Sequence, residues 1–398
     1  MCGSLAHRDD RGPRNPAPVS ANGRLYVQGN RTLFGIDSYN GTILWFQQIP
    51  SMRRANIPRD GSNMVATDDF LYLALHGHCI GIAGQTGKRE LTFAVPNDAA
   101  GDERQFNWGL VACHGQTLFG SAVKRGSQYL GDDGEWYEDF DNGQISSVTS
   151  AGLFALERHT GKMLWQHDQG AIINSTFSLD DKAVYFVESR SKQAMESDEG
   201  RMLSEVQRDQ YLVALDIRTG ELLWDKAVDL SQCEYMTYMS VANDTLIVAG
   251  TDQKKRFHTF AFGALSGSQL WHHTAQTHKT HHSGHLSHPL VINEKVYVNK
   301  QTLDLKTGRV VDEDLDFNWH GCGITSASLH TIFRRFEYHG MLDLETNKRT
   351  EFLGVRSGCW LSIIPSGGTV LAPETSAGCS CTHAVQTSLA YVPRHLLP

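Results

Sequence analysis

Leu212-Val213-Ala214-Leu215-Asp216-Ile217-Arg218-Thr219-Gly220-Glu221-Leu222-Leu223-Trp224 is the stretch on which the fold turns. An apolar run ends on an acid, Thr219-Gly220 supplies a turn whose glycine tolerates a positive φ, and a second apolar run ends on Trp224. That is a β-hairpin. The same unit recurs as Leu33–Asp37 with Asn40-Gly41 and Trp45, as Leu153–Glu157 with Thr160-Gly161 and Trp165, and around Ser266-Gly267 with Trp271. Weaker copies run from Cys79 through Thr86-Gly87, with Leu91 where Trp would stand, then at Leu303-Asp304-Leu305 with Thr307-Gly308 and at Met341–Leu344 with Thr346-Asn347. Leu389-Ala390-Tyr391-Val392 matches the start of an eighth copy.

A further apolar strand lies upstream of several copies, as in Leu25-Tyr26-Val27, Phe70–Leu73, Val184–Val187, Leu246-Ile247-Val248 and Val296-Tyr297-Val298. A short strand such as Ser62–Thr67 precedes that one. Four strands per unit, repeating roughly every 40–47 residues, is the signature of a propeller blade. The sequence therefore predicts an all-β protein: a single β-propeller, with eight four-stranded blades favoured over seven. A β-sandwich is the rival, but sandwiches carry no fixed repeat of this kind. Because the last copy begins so near Pro398, its outer strand is expected either from residues near the N-terminus or not at all.

Composition narrows the classes of function. In 398 residues, 40% are hydrophobic and 20% charged, which suits a globular protein with a real core. The net charge of −8 has no basic tract beside it, so no nucleic-acid footprint is visible. No run approaches the ~18–20 apolar residues of a membrane-spanning helix. Residues 1–18 read as a polar, proline-containing extension, and 19–394 as the propeller, with insertions at about 124–150 and 188–210. The start, Met1-Cys2-Gly3-Ser4, has no signal-peptide pattern, yet a strand pattern begins almost at once. A truncated start is thus an expectation.

The Asp-x-x-Thr-Gly-x-x-x-Trp spacing at 216–224, with relatives at 37–45, 157–165 and 263–271, resembles the tryptophan-docking repeat of quinoprotein (PQQ-type) propellers. Asn56–Gly61, Ser121–Arg125 and Ser376–Cys381 are similar to a bacterial PQQ-like, BamB-like subfamily. The resemblance implies that Trp45, Trp165, Trp224 and Trp271 pack flat between adjacent blades. It also implies a periplasmic or exported protein, a monomer or part of a longer multidomain chain. It implies less about activity, because catalytic quinoprotein dehydrogenases share the repeat with non-catalytic BamB-type scaffolds. The dehydrogenases use adjacent cysteines in a vicinal disulfide, a calcium held by Glu and Asn, and an Asp base. Here no Cys-Cys pair exists, the nearest feature is Cys379-Ser380-Cys381, and there is no Cys-x-x-Cys-His.

Residues just before each innermost strand should ring one mouth of the central channel, the usual ligand site of a propeller. Aligning the blades gives Arg14, then Asp60 and Asn63, Asn107 and Trp108, Asn174, Tyr235 and Tyr238, His285 and His288, Cys322, and Cys359 followed by Trp360. The polar and aromatic members, Asp60, Asn63, Trp108, Asn174, Tyr235, Tyr238 and Trp360, are candidates for contacting a ligand. His285, His288, Cys322, Cys359, Cys379 and Cys381 gather in one sector as candidates for a metal ion or for disulfides, the thiolates and imidazoles being soft and borderline ligands. Plain thiols are the third possibility. His272, His273 and His278 read as surface. Two functions stay open at this point: a binding or scaffold propeller for a small-molecule ligand or protein partner, or a quinoprotein-like oxidoreductase with PQQ or a metal ion as cofactor.

Overall fold

The computed structural model describes residues 18–29, 31–50, 52, 63–96, 106–124, 147–197, 200–202, 204–234, 236–252, 256–276, 288–298, 300–313, 315, 325–335, 338–356, 363–372, 385–386 and 388–392. Eight antiparallel sheets follow one another along the chain as blades. Blade 1 has strands Val19–Ala21, Arg24–Gln28, Thr32–Asp37 and Ile43–Gln48, hydrogen-bonded in that order. Blade 2 spans Met64 to Ala94, blade 3 Phe106 to His167, blade 4 Ala171 to Val228, and blade 5 Met236 to Gln276. Blade 6 spans Leu290 to Asp312, blade 7 Ser326 to Phe352, and blade 8 Ile364 to Tyr391. The first strand of each blade is innermost.

The motif's chemistry is visible at the turns. In blade 4 the Asp216 carboxylate accepts hydrogen bonds from the Arg218 and Thr219 amides, both at 2.9 Å, and from the Thr219 hydroxyl. Gly220 closes the loop at φ +70°, donating its amide to the Asp216 carbonyl at 2.9 Å. Hydrogen bonds from Thr219, stronger than the small cost of burial, hold the Asp216 carboxyl below its ordinary range. Just past the turn a register shift between Ala214 and Leu215 puts Trp224 opposite Ala214 and Leu222 opposite Leu215. Equivalent shifts occur in blades 1, 2, 3, 5 and 6. Such a bulge re-aims the side chain beside it. Here it turns the tryptophan toward the neighbouring blade.

Each tryptophan then docks on the next blade's turn. Trp45 donates its indole N–H to the Gly84 carbonyl at 2.8 Å, Trp165 to Ile217 at 3.1 Å, Trp224 to Ala264 at 3.0 Å, and Trp271 to Leu305 at 2.9 Å. A Cβ at Gly87, Gly220, Gly267 or Gly308 would lie within 2.6 Å of the docked indole, so the turn glycine also makes room for the ring. Blade 2 divides the task. Leu91 covers Gly81 of its own blade, whereas Phe93, two residues on, packs against Gly161 of blade 3. The aromatic survives, displaced by one strand period.

The core is distributed over the seams. A separate apolar cluster fills each junction: 1–2 around Trp45 and Leu71, 2–3 around Tyr72 and Phe154, 3–4 around Phe119 and Phe186, 4–5 around Leu212 and Phe260. Further clusters occupy 5–6, 6–7 and 7–8. The ring closes where Leu371 of blade 8 meets Leu25, Val27, Phe34 and Ile36 of blade 1, with the Ser366 hydroxyl 2.9 Å from that of Ser20. Among the described residues blade 8 holds three strands, Ile364–Ser366, Thr369–Ala372 and Leu389–Tyr391, and all come from the C-terminal end of the chain.

Candidate functional site at the channel mouth

The starts of the inner strands and the ends of the second strands share one face, because the two are antiparallel neighbours. Five of the candidate ligand and metal residues lie on it among the described residues: Asn63, Trp108, Asn174, Tyr238 and His288. Asp60, Tyr235, Trp360, His285, Cys322, Cys359, Cys379 and Cys381 lie outside the described residues, and so does Arg14.

The five are placed at seams. Asn63 precedes the inner strand of blade 2 and donates its amide N–H to Gln28 of blade 1 at 3.0 Å. Trp108 is wholly buried, its backbone N–H bonded to the His76 carbonyl of blade 2 and its indole N–H to Leu110. Asn174 is held in a short 3-10 turn after the inner strand of blade 4, where its Oδ1 accepts from the Ser150 hydroxyl at 2.6 Å. Tyr238 of blade 5 packs against His288 of blade 6, ring centroids 3.6 Å apart and planes tilted by 31°. This last pair of candidates is brought into ring contact.

His288 is partly exposed as a residue, but its Nε2 is shut off from solvent and has no hydrogen-bond partner among the described residues. Burial pushes its pKa down from 6.5 to about 4. The folded state thus resists a proton that the unfolded chain accepts. The stability from neutral His288 is complete above pH 6.5 and is lost as the pH falls toward 4, by at most about 3 kcal/mol. In urea unfolding from pH 7.5 to 4, wild type should lose stability relative to His288→Phe as the pH falls; parallel curves would show that the imidazole titrates freely.

A cleft opens on the same face between blades 3 and 4. It encloses about 120 Å³ and is lined by Lys124, Thr149, Ser150, Ala151, Asp168, Gly170, Ala171, Ala194, Met195 and Gly200. Both insertions build it. Ser147–Ser150 pairs antiparallel with Arg201–Met202, so the two insertions clasp each other. The helix α1 (Lys192–Glu196) brings Ala194 and Met195 over the opening, Met195 remaining 44% exposed. Thr149 fixes the far wall by donating its amide and hydroxyl to the Gly200 carbonyl, at 2.7 and 2.9 Å. Behind Ser150 stand the Ser121 hydroxyl at 2.9 Å and Asn174.

One wall of the cleft rests on a buried charge. Glu188, with no exposed surface, contacts His167 Nε2 at 2.8 Å and accepts from Arg190 Nε at 2.8 Å, and Arg190 also reaches Asp225 at 2.7 Å. Gly170 leaves space for the Glu188 side chain, which an added Cβ would meet at 2.8 Å. Sequence reasoning passed over this carboxylate. The available signal was parity: Glu188 shares the inward face of its strand with Val184 and Phe186, so an acid there must find partners.

The candidate cofactor can be tested against these groups. Asn174 has its oxygen occupied by Ser150 and only its amide nitrogen without a partner among the described residues, which is the wrong atom for a cation. Trp108 is sealed edge-on against Phe154 and offers no face to a quinone. The described mouth residues do not fit PQQ with its calcium. The described cysteines, Cys79, Cys113 and Cys233, are free thiols, and burial pushes Cys113 up to about 11. Among the described residues no helix is long and apolar enough to cross a membrane.

Tryptophan-locked sheets closed around a channel define a β-propeller of docking repeats. The family model for the outer membrane protein assembly factor BamB matches residues 153–315. BamB from Moraxella catarrhalis is similar over 94% of each chain, with a TM-score of 0.54 and 11% identity. The computationally designed Ika8 protein is similar over 96% of this chain and 97% of its own, with a TM-score of 0.60 and 10% identity. A quinohemoprotein alcohol dehydrogenase from Comamonas testosteroni is a looser match, at a TM-score of 0.43 and 11% identity over 95% of this chain and 67% of its own. No curated protein matches the chain. The chain is a β-propeller, and its residues 153–315 match the PQQ-type repeat.

Proposed function

We propose that this propeller is a non-catalytic binding domain that takes a protein segment or small ligand into the cleft between blades 3 and 4. The observation that carries the proposal is the clasp of the two insertions. Long insertions in a compact fold are commonly functional, and here both converge to wall one opening that mixes charged, hydroxyl and apolar groups. Lys124 and Asp168 stand at its rim with Met195, whose flexible thioether adapts to varied apolar surfaces. The mouth residues Asn63, Trp108 and Asn174 serve the seams and make a rigid frame beside it. The description of the matching family model, an assembly factor, favours a protein segment as occupant.

A photo-cross-linking amino acid in place of Met195 should capture a discrete partner from the cell of origin, and filling the cleft by Ala151→Trp should reduce that capture at least tenfold. Capture unaffected by Ala151→Trp would reject the cleft. Reduction of an electron-accepting dye by the purified protein with PQQ, calcium and an alcohol would reject the non-catalytic assignment.

A further inference from the structure

The outer half of blade 5 carries a second polar cluster, away from the cleft. His258, on the third strand, is 2% exposed and shares the inward side of that strand with Phe260 and Phe262. His272 lies diagonally across on the fourth, outermost strand, opposite Phe260 and two residues from Thr274, which sits directly opposite His258. His258 Nδ1 is 3.1 Å from His272 Nε2, and the Thr274 hydroxyl is 3.3 Å from each nitrogen. Three donor atoms therefore form a nearly equilateral triangle. Its outer corner is open, since His272 and Thr274 are exposed.

Both rings are held in place. The Nε2 of His258 is 3.3 Å from the Asp252 carboxylate, and Asp252 is itself fixed by Arg256 through its backbone amide at 2.8 Å and its side chain at 2.7 Å. A carboxylate there favours the proton on Nε2 and leaves Nδ1 as a lone pair directed at His272. That is the arrangement by which carboxylates orient metal-ligating histidines. His272 stacks flat on Phe260, centroids 4.0 Å apart and planes 3° apart. Burial, then the neighbouring His258 and His273, hold the His272 imidazole below its ordinary pKa.

We propose that His258 Nδ1, His272 Nε2 and Thr274 Oγ1 form an open chelating site for a divalent transition-metal ion of the copper(II) or nickel(II) kind. Two nitrogens 3.1 Å apart, each ~2.1 Å from one ion, subtend about 95° at the metal, near the right angle of tetragonal and octahedral coordination and short of the tetrahedral angle of structural zinc. Among the described residues no group of three or more His, Cys, Asp or Glu stands ready for a metal, so the site is a two-imidazole chelate completed by a hydroxyl and solvent. His273, next in sequence, points the other way, to Gln301 of blade 6 at 3.0 Å.

Copper(II) chloride is the probe, titrated against glycine as a competing chelator, with wild type, His272→Gln and His273→Gln compared. His272 lies exposed on an edge strand, so His272→Gln should fold, and its metal-free melting curve verifies this. The expected result is that His272→Gln takes up one copper equivalent fewer than wild type and loses the two-nitrogen hyperfine pattern in the electron spin resonance spectrum. His273→Gln should behave as wild type, although it too removes one histidine. Equal uptake by His272→Gln and wild type would overturn the site, and so would an equal loss in His273→Gln.

Discussion

Trp165→Ala should lower the unfolding free energy by about 3–5 kcal/mol, with the loss read as a fall in the urea midpoint at unchanged slope. The ring is 6% exposed, lies 5.9 Å from Phe119 of its own blade, and bonds Ile217 of blade 4. Removing it deletes a buried indole and leaves a cavity over Gly220, which has no side chain to fill it. Blade 2 supplies the control. Phe93, 8% exposed, covers Gly161 where blades 1, 3, 4 and 5 use tryptophan, while Leu91 is partly exposed and lies closest to its own blade's Gly81 among the described glycines. Phe93→Ala should therefore cost about 3 kcal/mol and Leu91→Ala only about 1 kcal/mol. The reverse order would return the docking role to position 91.

Glu188→Ala should cost a comparable amount, about 3–5 kcal/mol, because it strands a buried imidazole and a half-buried guanidinium that the carboxylate now satisfies. Arg190 keeps Asp225 at 2.7 Å, but the imidazole of His167, 7% exposed, keeps no other hydrogen-bond partner among the described residues. Glu188→Gln preserves volume and one acceptor and should fall between alanine and wild type. Chemical denaturation of the three proteins at pH 7.5 gives the order directly. A loss under about 1 kcal/mol on Glu188→Ala would mean that water reaches the pair, as at exposed ion pairs.

The repeat made the ring legible in advance. Blade number and hairpin turns followed from Thr-Gly turns and apolar alternation, and the docking role of Trp45, Trp165, Trp224 and Trp271 from the resemblance those repeats carry. These are local signals, and each copy reinforces the others. The site was less legible. Alignment on the second strands expected Asn63, Trp108 and Asn174 just before inner strands, whereas Trp108 lies inside its strand and Asn174 in the turn after its own, and the pattern could not tell a group facing the channel from one turned into a seam. That choice depends on partners such as Gln28 and Ser150, which lie 35 and 24 residues away. The histidines show the same limit. His272 read as surface and is exposed, but its importance comes from His258 across the strand pair, and a linear reading of the His-rich stretch does not reach that partner.

Ring closure has a mechanical consequence. Seven junctions join blades consecutive in the chain, four of them with a tryptophan pinned across. The eighth brings the two ends of the repeat array together, and its apolar cluster draws a single described residue, Leu371, from blade 8. The molecule is in this respect a split washer rather than a hoop. Thermal strain and pulling force should both concentrate at the gap between Ser20 and Ser366, so the ring would open there first and the other seven junctions would stay shut.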